Sequence, residues 1–317
     1  MKKVVVLGGG TGLSTLLRGL KLFPIDITAI VTVADDGSST GRLRKEFNVP
    51  AVGDLRQVLV ALSEVEPLVE QLLQYRFNTD SDLDGHAMGN LLLTALFNIT
   101  GNLTESLTSL SKILNIKGRI LPFTEDNAIL VAHTKDGEII EGESHITKAF
   151  KHIDYVEYKN EVKATSSVKK AISNADLIII GIGSLYTSVI PNLLDKDVVD
   201  IIRKSKARKM YVSNIMTEHG ETDGFNVSDC VKAINRYVGD NFIDVVVSNN
   251  GNVPSKILKL YEVEKSTPIK LDYDELKDMG IHIIEDNLVN IVNNQVRHDS
   301  VRTALDIFTY INNSGDV

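Results

Sequence analysis

Two stretches near the start of the chain carry residue types that bind phosphate groups and cations. The first is a glycine-rich loop that follows an apolar run and leads into leucines with helical spacing; it consists of Gly8, Gly9, Gly10, Thr11 and Gly12. Glycines let a backbone approach an anion closely, and a helix N-terminus offers unpaired N–H groups and a positive dipole end. We therefore predict that this loop cradles a phosphate group, with a tight packing turn as the alternative.

The glycine loop matches neither of two common nucleotide-binding motifs. Leu13 occupies the position of the third glycine in the fingerprint G-x-G-x-x-G, and the sequence contains no G-x-x-x-x-G-K-[ST] phosphate loop. The loop by itself thus indicates a phosphorylated ligand without identifying it.

The second stretch combines carboxylates, hydroxyl groups and arginines at the end of the next apolar run. Its carboxylates are candidates for binding Mg²⁺ or ribose hydroxyls, or else form part of an Asp-Gly turn. Arginines at positions 42 and 44 cannot both face one phosphate from a regular helix, so we expect one of them at the surface. The candidates in this stretch are Asp35, Asp36, Ser38, Ser39 and Arg42.

Later polar residues extend the candidate site. His86 precedes an apolar helix, where it is either a general acid–base or a cap, and Asn90 either contacts a ligand or satisfies an internal hydrogen bond. A second glycine-rich strand end carries Gly183, Ser184 and Thr187, and Asn214 ends the strand after it. Two sets of backbone donors at one sheet edge suit a ligand with two anionic groups, such as a diphosphate.

The elements that position these residues alternate between strands and helices. Continuous apolar runs near residues 4–7, 27–33, 177–180, 209–213 and 245–248 predict buried parallel strands. Short strands near residues 119–160, with an Asp-Gly turn, predict a small β-rich insertion. Residues 91–97 are apolar nearly all round and predict a central buried helix. We predict a Rossmann-like, doubly wound α/β fold with three layers and a single domain over residues 1–317.

Composition excludes several classes of protein. The net charge of −8 argues against binding to a nucleic-acid backbone, and no window approaches the length of a membrane helix. A single cysteine, Cys230, cannot form an intrachain disulfide and suits a reducing compartment. The sequence shows no Ser-His-Asp set, no G-x-S-x-G elbow and no H-E-x-x-H motif. We expect a cytoplasmic protein without an obvious catalytic set.

Taken together, the motifs resemble the gluconeogenesis-factor (YvcK-like) family, which belongs to the superfamily of 2-phospho-L-lactate transferase (CofD). The resemblance covers essentially the whole chain, and its motifs occupy residues 8–14, 31–44, 53–56, 86–90 and 183–192. One position departs from the family pattern: Ser38 stands where the family's acidic loop has its second glycine. An unusual backbone angle is less favourable for serine than for glycine.

The resemblance implies binding of a nucleotide sugar such as UDP-glucose or UDP-N-acetylglucosamine, and a role linking gluconeogenic carbon metabolism to bacterial cell-wall morphogenesis. Tyr261 and Arg297 match family positions implicated in nucleotide-sugar binding. The transferase branch instead moves a phosphoryl-linked group with Mg²⁺, and its acidic loop corresponds to Asp35 and Asp36. A regulatory binding protein and an Mg²⁺-dependent transferase therefore both remain hypotheses, with cell-wall synthesis proteins and a second copy of the chain as candidate partners.

Overall fold

A computed structural model describes residues 1–313, and its centre is a seven-stranded, wholly parallel sheet. Within these residues the strands are β1 (Lys3–Gly8), β2 (Asp26–Val31), β3 (Arg119–Pro122), β4 (Leu130–Thr134), β5 (Ile139–Glu141), β6 (Ile153–Tyr158), β7 (Leu177–Ile180), β8 (Arg208–Val212), β9 (Val245–Asn249), β10 (His282–Asp286), β11 (Val289–Val292) and β12 (Gln295–His298). The α-helices are α1 (Gly10–Leu20), α2 (Ser38–Phe47), α3 (Gly53–Leu62), α4 (Pro67–Gln74), α5 (Met88–Thr100), α6 (Leu103–Ile113), α7 (Glu143–Ala149), α8 (Ser166–Ser173), α9 (Lys196–Lys204), α10 (Val227–Val238), α11 (Ser255–Val263), α12 (Tyr273–Asp278) and α13 (Ser300–Asn313).

The first apolar run forms β1 in the middle of the sheet. Its residues 4–7 are at most 2% exposed, and Val4 lies opposite Ile27 of β2 on one side and Leu177 of β7 on the other. The strand order is β3-β2-β1-β7-β8-β9-β10, so the direction of the connections reverses between β1 and β7. The predicted doubly wound α/β fold is confirmed, and such a reversal opens a crevice at the carboxyl ends of the two strands.

The β-rich segment near residues 119–160 forms a small antiparallel sheet in the order β5-β4-β6. Its first predicted strand differs, because β3 pairs in parallel with β2 and completes the central sheet. The insertion proper therefore begins after Pro122. The predicted Asp-Gly turn joins β4 to β5, with Gly137 at a φ of 89°.

Helix α5 is not the central buried helix that its composition predicts. Gly89, Asn90, Leu93 and Thr94 face the protein, whereas Ile99 on the other side is 79% exposed. Apolar composition shows which residues can be buried, but the fold supplies neighbours on one side of this helix only.

The last strand of the central sheet and the hairpin after it could not be predicted from apolar runs in the sequence. Strand β10 is half-exposed along its length, and the hairpin of β11 and β12 follows it directly. Within residues 1–313, no helix has both the length and the apolar character needed to cross a membrane. The predicted single domain extends to residue 317, and residues 314–317 lie outside the described part of the chain.

Candidate functional site

The glycine-rich loops meet at the reversal point of the sheet. The loops after β1 and β7 border one cleft of about 1060 Å³, which residues after β8 and residues of α11 and β12 complete. Clefts of this size hold nucleotide-sized ligands, and this one lies at the expected edge of the sheet. The predicted site residues that line it are Gly9, Gly10, Thr11, Gly12, Gly183, Ser184, Asn214, Tyr261 and Arg297.

The glycines of the first loop differ in what surrounds them. A Cβ on Gly9 would lie 2.6 Å from Thr32 Cγ2, and one on Gly12 would lie 2.9 Å from the carbonyl of Ile182, so both glycines permit close packing. Gly10 has a φ of 65°, and a Cβ there would meet only Ser188 Oγ, at 3.9 Å. Gly10 is thus the position where the backbone of this loop borders open cleft, at the first residue of α1.

The second loop is held against the end of β8 by paired hydrogen bonds. The N–H of Gly183 donates to Asn214 Oδ1 at 3.3 Å, and Asn214 Nδ2 donates to the carbonyl of Gly183 at 3.0 Å. Asn214 therefore acts as a brace between two strand ends, and it also lines the cleft. These two hydrogen bonds hold the loop after β7 and the end of β8 together at the carboxyl ends of the strands.

Tyr261 and Arg297 line another part of the cleft. The Tyr261 hydroxyl accepts the N–H of Val296 at 2.8 Å, which ties α11 to β12. Arg297 donates to the carbonyl of Val296 at 3.1 Å and to the side chain of Gln295. The guanidinium has five N–H donors, so these contacts leave donors available to an anion.

Two glutamates in the segment after β8 were not identified as site residues from the sequence. Glu221 accepts the N–H of Tyr186 at 2.8 Å and the hydroxyl of Thr187 at 3.0 Å. Burial, reinforced by Glu218, raises the pKa of Glu221 to about 8. Burial also raises the pKa of Glu218, against the hydrogen bond from Ser184 and the attraction of Arg297. Both carboxyl groups line the cleft, and near neutral pH Glu221 is largely protonated.

His298 also lines the cleft and was not identified as a site residue from the sequence. Its side chain is 6% exposed, and neither ring nitrogen has a hydrogen-bond partner among residues 1–313. Burial lowers the pKa of His298 to about 4, against a weak contact with the backbone of Ser213, so the ring is neutral. Asp299 caps α13, accepting the N–H groups of Val301 and Arg302 at 3.1 and 3.0 Å.

The remaining predicted site residues do not line this cleft. Thr187 is buried beneath it on Glu221, and Gly8 ends β1 below the loop. Arg42 donates to the carbonyls of Asp82 and Asp84, and Arg44, the other arginine of the stretch, donates to the carbonyl of Asp35 at 2.8 Å. The predicted residues that lie outside the lining are Gly8, Asp35, Asp36, Ser38, Ser39, Arg42, His86, Asn90 and Thr187.

Ser39, His86 and Asn90 instead form one buried network. Ser39 Oγ lies 3.0 Å from His86 Nδ1, and Asn90 Nδ2 donates to Ser39 Oγ at 3.2 Å. Arg56 Nε donates to Asn90 Oδ1 at 2.9 Å. Burial lowers the pKa of His86, as does the nearby Arg42. Internal hydrogen bonding, one of the two alternatives for Asn90, is therefore present.

The acidic stretch lies beside the glycine loop. Asp35 Oδ1 accepts the N–H of Gly37, and Asp36 Oδ1 accepts the N–H of Ser144 at the start of α7, both at 2.8 Å. Residues 1–313 contain no group of three or more His, Cys, Asp or Glu side chains arranged to hold a metal ion. Each aspartate keeps one oxygen outside these contacts, which suits Mg²⁺ only when ligand phosphates and water supply the other positions.

Two further carboxyl groups surround this stretch. Burial raises the pKa of Asp54 to about 7, with Asp35 adding to the shift and the N–H of Gly10 opposing it. Burial likewise raises the pKa of Glu143 to about 8, with Asp35, Asp54 and Asp36 contributing in that order. Negative charge is thus concentrated next to the glycine loop, where a cation or protons would reduce the repulsion.

Ser38 has the unusual backbone angle anticipated from its position in the motif. Its φ is 40°, in the left-handed region, and it is the first residue of α2. The side chain is exposed. Serine therefore occupies a conformation that glycine adopts at lower cost.

Comparison with known proteins gives the class to which this fold and cleft belong. The family of 2-phospho-L-lactate transferase CofD matches residues 4–289. The structure is similar to that of protein BH3568 from Bacillus halodurans, a member of the UPF0052 family, with a TM-score of 0.94 and 46% sequence identity. The similarity covers 97% of this chain and 99% of that one.

Two relatives narrow the class further. The gluconeogenesis factor of Bacillus subtilis is 47% identical over 303 residues, covering 95% of this chain and 96% of that protein. The gluconeogenesis factor of Halalkalibacterium halodurans is 47% identical over 304 residues, covering 96% and 94%. The chain belongs to the gluconeogenesis-factor family of the CofD superfamily, as its motifs indicated.

Proposed function

We propose that this protein binds a UDP-sugar, UDP-glucose or UDP-N-acetylglucosamine, in the cleft at the reversal point of the sheet. In this proposal it acts in the cytoplasm as a binding factor that links gluconeogenic carbon metabolism to cell-wall morphogenesis. The observation that carries the proposal is the convergence of two glycine-rich strand ends with Tyr261 and Arg297 in one cleft.

The glycine loops supply a site for the diphosphate. Backbone N–H groups at the start of α1 have no partner within the helix; that of Gly10 contacts Asp54, and the lack of a side chain at Gly10 leaves the approach to the others open. Gly183 and Ser184 bring a second segment of backbone to the same cleft. Two donor segments match the two phosphates of a nucleoside diphosphate.

Tyr261 and Arg297 supply contacts to the rest of the nucleotide. The tyrosine ring offers a stacking surface for uracil or ribose, and the guanidinium offers charge-assisted hydrogen bonds to phosphate oxygen. His298 adds a buried polar ring that makes no well-formed hydrogen bond among residues 1–313 and has only a weak contact with the backbone of Ser213, and such groups are normally satisfied. A polar ligand in the cleft would provide that partner.

The charge of the cleft is compatible with an anion at neutral pH. A diphosphate would be repelled by ionised glutamates, but Glu221 has a pKa of about 8 and is largely protonated. Arg297 and Lys265 contribute positive groups to the lining. Glu218 and Glu264 also line the cleft, and burial raises the pKa of Glu218, which reduces its repulsion of an anion in the same way.

A transferase of the CofD type is the second candidate function. The concentration of carboxyl groups beside Gly10 favours it, because Asp35 and Asp36 could hold Mg²⁺ against a ligand diphosphate. The cation would supply charge neutralisation for transfer of a phosphoryl-linked group. We favour the binding role, because neither Asp35 nor Asp36 lines the cleft.

Titration calorimetry with UDP-glucose on Arg297→Ala tests the proposed function. Loss of a charge-assisted hydrogen bond should cost about 1.5–3 kcal/mol, or roughly 10-fold to 150-fold in Kd. The matched control is Arg208→Ala. Arg208 is the first residue of β8, at the amino ends of the strands and away from the cleft, and its side chain is 61% exposed. Equal affinity of both variants and the wild type would remove Arg297 from the site.

A further inference from the structure

Two aromatic residues, Phe150 and His219, line a part of the cleft to which no contact with the nucleotide has been assigned. The rings of Phe150 and His219 lie 5.6 Å apart between centroids and are inclined by only 17°. Phe150 is 59% exposed, so one face of its ring packs on His219 while the residue remains accessible. Both residues line the cleft.

Close backbone packing holds the aromatic pair in place. Gly220, next to His219, has a φ of 92°, and a Cβ there would lie 3.0 Å from the backbone of Phe150. The carbonyl of Gly220 accepts the N–H of Ile153 at 3.1 Å. The segment that follows β8 is thus fixed against the segment that follows α7, and the two rings cannot separate without breaking this packing.

Asp223 determines which nitrogen of His219 is free. Its Oδ1 lies 2.8 Å from His219 Nδ1, and its Oδ2 accepts the N–H of Gly220 at 2.6 Å. Burial tends to raise the pKa of Asp223, but these hydrogen bonds outweigh it, and the pKa lies below its usual range. Because a carboxylate only accepts, Nδ1 of His219 carries the hydrogen. In the neutral ring Nε2 then carries a lone pair that can accept a hydrogen bond.

We propose that Phe150 and His219 form the subsite for the glycosyl group of the UDP-sugar, an inference that rests on the proposed function. A pyranose ring has apolar C–H faces that pack on an aromatic ring, and hydroxyl groups at its edge that donate hydrogen bonds. The exposed ring of Phe150 supplies the first contact, and Nε2 of His219 accepts from a hydroxyl. Asp223 is a positioning residue that orients the imidazole.

The test measures the contribution of the sugar separately from that of the nucleotide. Titration calorimetry gives Kd for UDP and for UDP-glucose, and their ratio reports the glycosyl contacts. Three variants are compared with the wild type: Phe150→Ala removes the stacking ring, His219→Phe keeps a ring but removes the acceptor nitrogen, and Phe47→Ala is the control. Phe47 ends α2, is 43% exposed and lies outside the cleft lining.

We expect the wild type to bind UDP-glucose more tightly than UDP, and Phe150→Ala to reduce that ratio about 3-fold to 10-fold. His219→Phe should reduce the ratio by a similar factor because of the lost hydrogen bond, roughly 2-fold to 10-fold. Phe47→Ala should keep the wild-type ratio.

The outcomes separate this inference from the proposed function. Binding of UDP and UDP-glucose with the same ratio in the wild type, Phe150→Ala and His219→Phe would overturn the glycosyl subsite while leaving the nucleotide site intact. Binding of neither compound by the wild type would overturn the proposed function and the subsite together. Because Phe150→Ala and His219→Phe change different contacts, the Kd ratio of one variant still tests the subsite if the other variant does not fold.

Discussion

Replacing Gly10 with alanine tests whether the glycine loop carries a phosphate. The added Cβ would meet only Ser188 Oγ, at 3.9 Å, so the methyl group would border the cleft without a steric clash in the protein. The backbone φ of 65° imposes a second effect, because alanine in the left-handed region costs about 1–2 kcal/mol of stability. Stability and binding must therefore be measured separately.

The loss of binding should be larger than the loss of stability explains. A methyl group at Gly10 would move a phosphate away from the backbone donors of α1. Losing one charge-assisted hydrogen bond costs about 1.5–3 kcal/mol, which raises Kd for UDP-glucose roughly 10-fold to 150-fold. Calorimetry below the unfolding temperature measures this change on folded protein.

Gly101→Ala is the matched control for the backbone effect. Gly101 has a φ of 82°, an added Cβ there meets no atom within 4 Å, and the residue follows α5 outside the cleft lining. Denaturant unfolding should show a similar loss of stability in both variants, while Gly101→Ala keeps the wild-type Kd. If folded Gly10→Ala also keeps that Kd, the loop is only a packing turn.

Three further predictions follow from buried and strained groups. Since the folded-state pKa of Glu221 is raised to about 8 from 4.5, its contribution to stability is present below pH 4.5 and is lost as pH rises through 8. Glu221→Gln, which mimics the protonated form and can donate to Thr187, should exceed the wild type in the free energy of unfolding by about 1–3 kcal/mol at pH 8.5, and by less at pH 5, in urea titrations. Ser38→Gly should raise the free energy of unfolding by about 0.5–1 kcal/mol, because glycine accepts a φ of 40° without a Cβ penalty. Asp36→Asn keeps an acceptor for the N–H of Ser144, so Kd for UDP-glucose should change less than about 3-fold, and EDTA should leave it unchanged.

Each of these predictions has a contrary result. Parallel pH profiles of the wild type and Glu221→Gln would show that this carboxyl group does not control the pH dependence. A loss of stability in Ser38→Gly would mean that the serine side chain makes a contact worth more than the strain. A large rise in Kd on adding EDTA, abolished in Asp36→Asn, would favour Mg²⁺ bridging and the transferase.

The sheet could be predicted because its strands are continuous apolar runs. Residues 4–7 and 177–180 are buried on both faces, which removes polar positions from the pattern and leaves an unambiguous signal. Glycines after both runs then indicated the reversal point. Strand β10 lacked this signal, because an edge strand that is half-exposed can contain charged residues.

The neighbours of individual side chains were harder to predict than the elements. Arg42 and Asp36 lie in a motif with phosphate-binding chemistry, yet their hydrogen bonds go to residues 40 to 108 positions away. Sequence order brings residues into one motif, but tertiary packing decides which face the cleft. Tertiary packing also decides the burial of α5, because neighbouring elements cover only one side of this apolar helix.

The cleft residues that were not identified from the sequence acquire their functional properties only through the tertiary fold. Glu221 is an ordinary carboxylate in the sequence, and its pKa rises only because the fold buries it beside Glu218, against the hydrogen bonds from Tyr186 and Thr187. Phe150 and His219 are 69 positions apart and become neighbours through the packing at Gly220. The available signal for Glu218 and Glu221 was that acidic residues stand in the segment following a predicted strand.

The central claim is that the cleft binds UDP-sugars, and titration calorimetry of the wild-type protein against UDP-glucose, UDP-N-acetylglucosamine, GDP and NAD tests it most directly. We expect saturable binding of at least one UDP-sugar in the absence of added metal, with GDP and NAD weaker by about 10-fold or more. Saturable binding of GDP or NAD without binding of either UDP-sugar would contradict the claim.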